Sequence, residues 1–132
     1  EGNPPFFLHH ARDVRERRLP VVHKGRLDVK EAMAFIVAFS RLYALRHAEP
    51  ALGTHERLEA LGDKGVLEGR LVGETLRAYD LLGRLRLEAQ LAGAGNVVDT
   101  ASLAHADQTL LKESLALLSL LQKRIGFDFL GG

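Results

Sequence analysis

Residues Leu67 to Leu91 carry one long helical repeat, LEGRLVGETLRAYDLLGRLRLEAQL, and the rest of the chain must be arranged around it. Leu71, Thr75, Ala78, Leu82, Leu85 and Ala89 recur at alternating steps of four and three, a seam suited to near-antiparallel helical neighbours. Val72, Leu76 and Tyr79 widen the seam, so this helix is expected to touch more than one neighbour. A second row holds Tyr79, Gly83, Arg86 and Gln90. Gly83 leaves a gap there, with two hydrogen-bonding side chains beside it. The row fits either close helix packing with solvated Arg86 and Gln90, or a polar cluster that includes them. Gly69 and Gly73 each cost about 1 kcal/mol relative to alanine, which close backbone approach or a frayed first turn would explain.

Other helical segments flank this one. Phe6 to Arg18 has Phe6, Phe7, Leu8, Ala11 and Val14 on its apolar side, and its end is basic, which suits a helix C-terminus. Glu1 to Pro5 reads as the end of a linker, and Leu19 to Arg26 as a connection. Asp28, with Glu31 three residues on, is a capping-box variant that starts a helix running to about His47. Thr54 is placed to cap a short helix to Leu61, ended by Gly62 and Gly65. The loop Gly93 to Thr100 offers Gly95 and Asn96 for left-handed backbone, with Val97 and Val98 tucked against the bundle. A helical turn follows near Ser102, Asp107 is a further cap candidate, and a last helix runs to about Arg124 with its seam at Leu111, Ser114, Leu118, Leu121 and Ile125. That helix is expected to be the most buried. No stretch reads as a strand, although Leu19 to Val22 could run extended. The expectation is an all-α, up-and-down bundle of four main helices and one short one. With 132 residues it forms a single domain, large enough for a core without disulfides. Because the chain starts at Glu1, we expect it to be excised from a longer protein.

Arg41 is the most informative single residue. Between Ala32 and Leu45 everything is apolar except Ser40 and Arg41, so a largely buried helix is expected. A buried guanidinium must be paired. It would hold an internal carboxylate, line a cavity that receives an anionic or carbonyl group, or snorkel to solvent.

Several chemistries are missing. With no cysteine there are no disulfides, thiolate zinc sites or cysteine nucleophile. His55-Glu56 begins like a zinc-peptidase motif, but Glu59 stands where the second histidine belongs. No GxxxxGK[ST] loop or GxSxG elbow occurs. A net charge of +1 gives no field for nucleic acid, and the basic segment Arg12 to Lys30 lacks interleaved aromatics. No membrane span or secretory signal is visible, and a cytoplasmic location is expected.

The elements in order resemble a known family. They are NPPFFLHHARD (3–13), RLDVKEA (26–32), SRLYALRHA (40–48), THERLEALGDKGVL (54–67), RLEAQL (86–91), GNVVDTASL (95–103) and LLKESLALLSLLQKRIGFDF (110–129). Nearly the whole chain is similar to the nucleotidyltransferase substrate-binding domain at the C-terminal end of bacterial signalling proteins. There, cyclic-nucleotide-binding and CBS domains precede a nucleotidyltransferase-like domain, an arrangement similar to the uridylyltransferase of nitrogen signalling. Asp28-Val29-Lys30 match the family's aspartate-leucine-lysine element. Arg41 matches its helix arginine, Thr54 with Arg57-Leu58 its threonine and arginine-leucine pair, Arg86-Leu87 and Gln90 a second pair, and Asn96 its loop asparagine. Glu88 and Ala89 depart from the more basic or aromatic residues usual there.

The resemblance implies a non-catalytic domain that holds an acceptor substrate, such as a protein, beside the transferase cleft. It implies substrate contacts from Asp28, Lys30, Arg41, Arg57, Arg86 and Gln90, with Arg41, Arg86 and Gln90 in one polar cluster. The Gly-Ser element and Asp-x-Asp pair that two-metal transfer needs are absent. Mg²⁺ and a nucleoside triphosphate are therefore expected on the preceding domain, with no cofactor or metal here. The implied partners are that nucleotidyltransferase domain, a protein acceptor and a second copy in a homodimer. The rival reading is a structural or interaction module that dimerises or transmits signals.

Overall fold

In a computed structural model that describes residues 5–131, five α-helices follow one another: α1 (Pro5–Arg15), α2 (Val29–Arg46), α3 (Thr54–Asp63), α4 (Gly69–Leu91) and α5 (His105–Leu130). The fold is the expected all-α bundle. The expected linker at Glu1 to Pro5 lies outside the described residues except for Pro5, which opens α1.

α2 is the central element and packs against α1, α3, α4 and α5. Asp28 starts it as expected, accepting from the backbone N–H of Lys30 at 3.0 Å and of Glu31 at 3.2 Å. Phe35, Ile36, Phe39, Leu42 and Tyr43 are buried in the core it shares with its neighbours. The seams of α4 and α5 are buried at every position named from their spacing. The polar members of these helices cost little, because each bonds its own helix. Ser40 donates to the Val37 carbonyl at 2.9 Å, Thr75 to Leu71 at 2.8 Å and Ser114 to Leu110 at 2.8 Å.

Three helices end in the same hydrogen-bonded motif, with one residue in the left-handed region. After α3 that residue is Gly65 (φ 76°) and after α4 it is Gly93 (φ 78°). After α2 it is Ala48 (φ 54°), with Glu49 N–H donating to the Ala44 carbonyl at 2.8 Å.

Several boundaries move. α1 stops at Arg15 rather than Arg18, because the Gln122 side-chain amide donates to the carbonyls of Arg15 (2.9 Å) and Arg17 (2.7 Å) and turns the chain away. Gly53, not Thr54, occupies the cap of α3, and the Glu56 carboxylate folds over it where a side chain would stand. Gly62 lies inside α3 and lets it approach Val72 of α4. α5 continues past Arg124 to Leu130, since Ile125 and Phe129 keep its buried period and Gly126 sits beneath the Arg15 guanidinium. Asp107 does not cap α5; it lies in the first turn and pairs with Arg84. Nor is α5 the most buried helix: Leu110, Leu120 and Phe127 are exposed, whereas α2 is covered on most of its faces.

A small sheet replaces the expected loop. β1 (Arg26–Asp28) pairs antiparallel with β2 (Val97–Asp99), aligning Leu27 with Val98, and both are buried. Leu19 to Val22 is irregular. Between His23 and Arg26, Lys24 (φ 52°) and Gly25 (φ 75°) make a tight two-residue turn with left-handed backbone at both positions. In the second loop Gly93 and Gly95 take positive φ, and Asn96 does not. Val98 packs inward while Val97 is partly exposed, and a 3-10 turn follows at Thr100–Ser102 as expected.

Candidate functional site

The structure distributes the six sequence-identified residues over the bundle. Asp28 caps α2. Arg86 donates from Nε to the Asn96 side-chain oxygen at 2.8 Å, and the Asn96 carbonyl in turn receives the N–H of Val29 at 3.0 Å. Asp28 and Arg86 thus meet, through Asn96, at the sheet end of the bundle. Lys30 and Gln90 are exposed near them, each within about one turn in sequence. Arg57 donates from Nε to the Ala51 carbonyl at 3.1 Å and ties α3 to the connection before it.

Arg41 is exposed, not buried. Lys30, Ala34, Val37, Arg41 and Leu45 form a row of α2 that its neighbours leave uncovered or half-covered. The apolar Ala34 and Val37 hide that row from a reading by hydrophobicity. Arg41 also does not join Arg86. A Cβ at Gly83 would lie 3.6 Å from Met33 Cε, which places these residues opposite each other on antiparallel α2 and α4. Arg41 lies eight residues from Met33 in one direction, and Arg86 lies beyond Gly83 in the other. Their separation along the bundle is therefore about 16 Å.

The arginine held in a polar network is Arg124, which is half-buried. Its Nε donates to Asp128 Oδ2 at 2.7 Å, its Nη1 reaches both Glu68 oxygens at 2.9 and 3.1 Å, and its Nη2 donates to the Val66 carbonyl at 3.3 Å. Tyr43 donates its hydroxyl to the same Asp128 oxygen at 2.7 Å. The Tyr43 ring is fixed between Phe39 (centroids 4.5 Å apart) and the edge of Phe129 (5.1 Å). These groups border a cavity of about 340 Å³ between α2 and α5, which Arg46 and His47 at the end of α2 also line. Arg46 also lies over the Phe7 ring, 6.0 Å from its centroid.

The electrostatics follow from this geometry. Burial, then the hydrogen bond to Asp128, push the Tyr43 phenol well above its ordinary value, so it remains a protonated donor. Burial and the Arg46 guanidinium push His47 below its ordinary value, so its imidazole is neutral at neutral pH. The cavity therefore offers the Arg46 cation, a neutral imidazole, and the edge of a network in which the Arg124 charge is offset by Asp128 and Glu68. That arrangement can orient an anionic or polar group. Among the described residues no group of three or more His, Cys, Asp or Glu side chains is placed to hold a metal. Among the described residues no helix is long and apolar enough to cross a membrane.

Sequence reasoning missed this cavity. Arg124 and Asp128 are one helical turn apart, a legible pairing signal. Tyr43 and Glu68 join them from far along the chain, and no local pattern announces that. The family model described as "Putative nucleotidyltransferase substrate binding domain" matches residues 4–129. No curated protein and no solved structure matches the chain.

Proposed function

Because this chain belongs to the nucleotidyltransferase substrate-binding domain family, we propose that it holds an acceptor, a protein in our reading, beside a nucleotidyltransferase domain of the same polypeptide. The parent is a bacterial, cytoplasmic signalling protein with cyclic-nucleotide-binding and CBS domains, and Mg²⁺ and the nucleoside triphosphate belong to the neighbouring domain. The observation that carries the acceptor-holding role is the α2–α5 cavity, where the hydrogen-bonded Tyr43, Asp128 and Arg124 line it together with Arg46 and His47 from the end of α2. In this reading Arg41, on the opposite side of α2 from Tyr43, and Lys30 and Gln90, at the sheet end about 20 Å from the cavity, supply contacts to an acceptor large enough to reach beyond it. Asp28, Arg57 and Arg86 hold the cap of α2 and two connections by hydrogen bonds, and in this reading support the domain away from the cavity.

The test is a transfer assay on the full-length parent with labelled nucleoside triphosphates and cell extract as acceptor. Wild type is compared with Arg41→Ala, Arg46→Ala, Tyr43→Phe and Arg86→Ala, each checked for folding by circular dichroism. A lost charged hydrogen bond is worth about 1.5–3 kcal/mol, so labelling is expected to drop about tenfold or more in folded Arg46→Ala and measurably in Arg41→Ala. Unchanged labelling in all folded variants would sink the acceptor-holding role, as would no labelling by wild type. A second reading, an interaction module, is favoured by an exposed apolar groove between α4 and α5.

A further inference from the structure

α4 and α5 lie side by side and antiparallel, and two ion pairs fix their register. Arg84 Nη2 meets Asp107 Oδ1 at 2.8 Å near one end, and Arg124 Nη1 meets Glu68 Oε1 at 2.9 Å near the other. Both helices rise about 1.5 Å per residue, so Leu81 is level with Leu110, and Arg77 is within about 2 Å of the level of Glu113. Between the helices runs an open groove of about 910 Å³. Its floor is Ala78, Leu81, Ser114 and Leu117, and its α5 wall carries Leu110 and Leu120, which are 47% and 52% exposed. Leu110, Leu117, Leu120 and Phe127 follow at steps of seven, three and seven, the spacing of a helix that buries a stripe against other helices.

The rim is close to neutral. Glu74, Asp80 and Glu113 stand with Arg77 and Arg84. Among the described residues Arg77 and Glu113 take part in no ion pair, and they occupy opposite walls at nearly one level. Such a rim repels neither sign strongly and is complementary to itself.

We infer that this groove seats a second copy of the chain, related by a two-fold axis running along the groove. That axis lays α4 of each copy over α5 of the other, so all four helices are antiparallel to their neighbours, as in an ordinary four-helix bundle. The shared levels then bring Leu81 of one copy onto Leu110 of the other. The same operation brings Arg77 onto the other copy's Glu113, twice. The exposed leucines are covered, and the two unpaired charges on the groove walls find each other.

Sedimentation equilibrium on the full chain tests this. Wild type is expected to dimerise in the micromolar range, about that of a modest interface. Leu120→Asp, Arg77→Glu and Glu113→Arg alter exposed side chains and leave the core intact. Each is expected to weaken the dimer about tenfold or more, and the double reversal Arg77→Glu with Glu113→Arg is expected to recover most of the loss. A monomer up to roughly 0.1 mM, or a dimer indifferent to all of these changes, overturns the inference. The readout is mass, not labelling, so this result and the acceptor-holding role stand or fall separately.

Discussion

Ala48 occupies a position where the other two motifs of its kind have glycine. Its φ of 54° places its Cβ against the following carbonyl, a strain of about 1 kcal/mol that glycine avoids. Ala48→Gly is expected to raise stability by about that amount and Tm by a few degrees. A lower Tm in a thermal melt would show the motif relaxed some other way. Residue-level chemistry was only partly legible in the sequence. Asp28 could be read as a cap because capping is a three-residue affair. Arg41 misled, because burial of a helix face depends on which neighbours arrive, and the alanine and valine beside it mimic a core. Arg124 gives a local signal only toward Asp128, although its guanidinium engages two carboxylates and a carbonyl.

Among the helices, the glycines separate into those required by a neighbour and those merely tolerated. A Cβ at Gly62 would lie 3.1 Å from Val72 Cγ2, and Val72 is buried and β-branched, with little freedom to yield. A Cβ at Gly83 would meet only Met33 Cε at 3.6 Å, an ordinary contact. Gly62→Ala is therefore expected to destabilise by about 1 kcal/mol, whereas Gly83→Ala gains roughly 0.5–1 kcal/mol of helix propensity. Urea titration of the pair decides it, and equal signs would refute this reading of helix approach. Helices α4 and α5 were legible because their seams repeat over many turns, so each misplaced residue is outvoted. β1 and β2 were not, since three residues give no period and their pairing is set by a partner far along the chain. The polar cavity was illegible for the same reason, its wall being assembled from α2, α5 and the approach to α4.

Across the whole molecule, the ion pairs of Glu49 with Lys64, Glu68 with Arg124 and Asp107 with Arg84 are among those that join successive elements. Each cation, by hydrogen bonding, holds its carboxylate below the ordinary carboxylate range. These groups bind protons more weakly in the folded state, so their contribution is full above the ordinary values and is lost as pH falls through the lowered ones. His47 is lowered too and acts earlier, because the unfolded chain takes up its proton first as pH drops below about 6.5. Stability is thus expected to fall in two stages, a shallow one below pH of about 6.5 and a steeper one below about 4. His47→Gln should remove the first stage alone; urea midpoints measured across this range would contradict the assignment if the shallow stage persisted.

The β1–β2 ladder has a consequence for the order in which the chain folds. Its strands are separated by some seventy residues, and closing so long a loop carries an entropic cost that three residue pairs do little to offset. The ladder therefore cannot nucleate folding. It closes after α2 and α4 have docked and carried their ends into reach. Asp28 belongs to both the ladder and the first turn of α2. The end that opens the sequence of this central helix is thus expected to be the last part of it to be fixed.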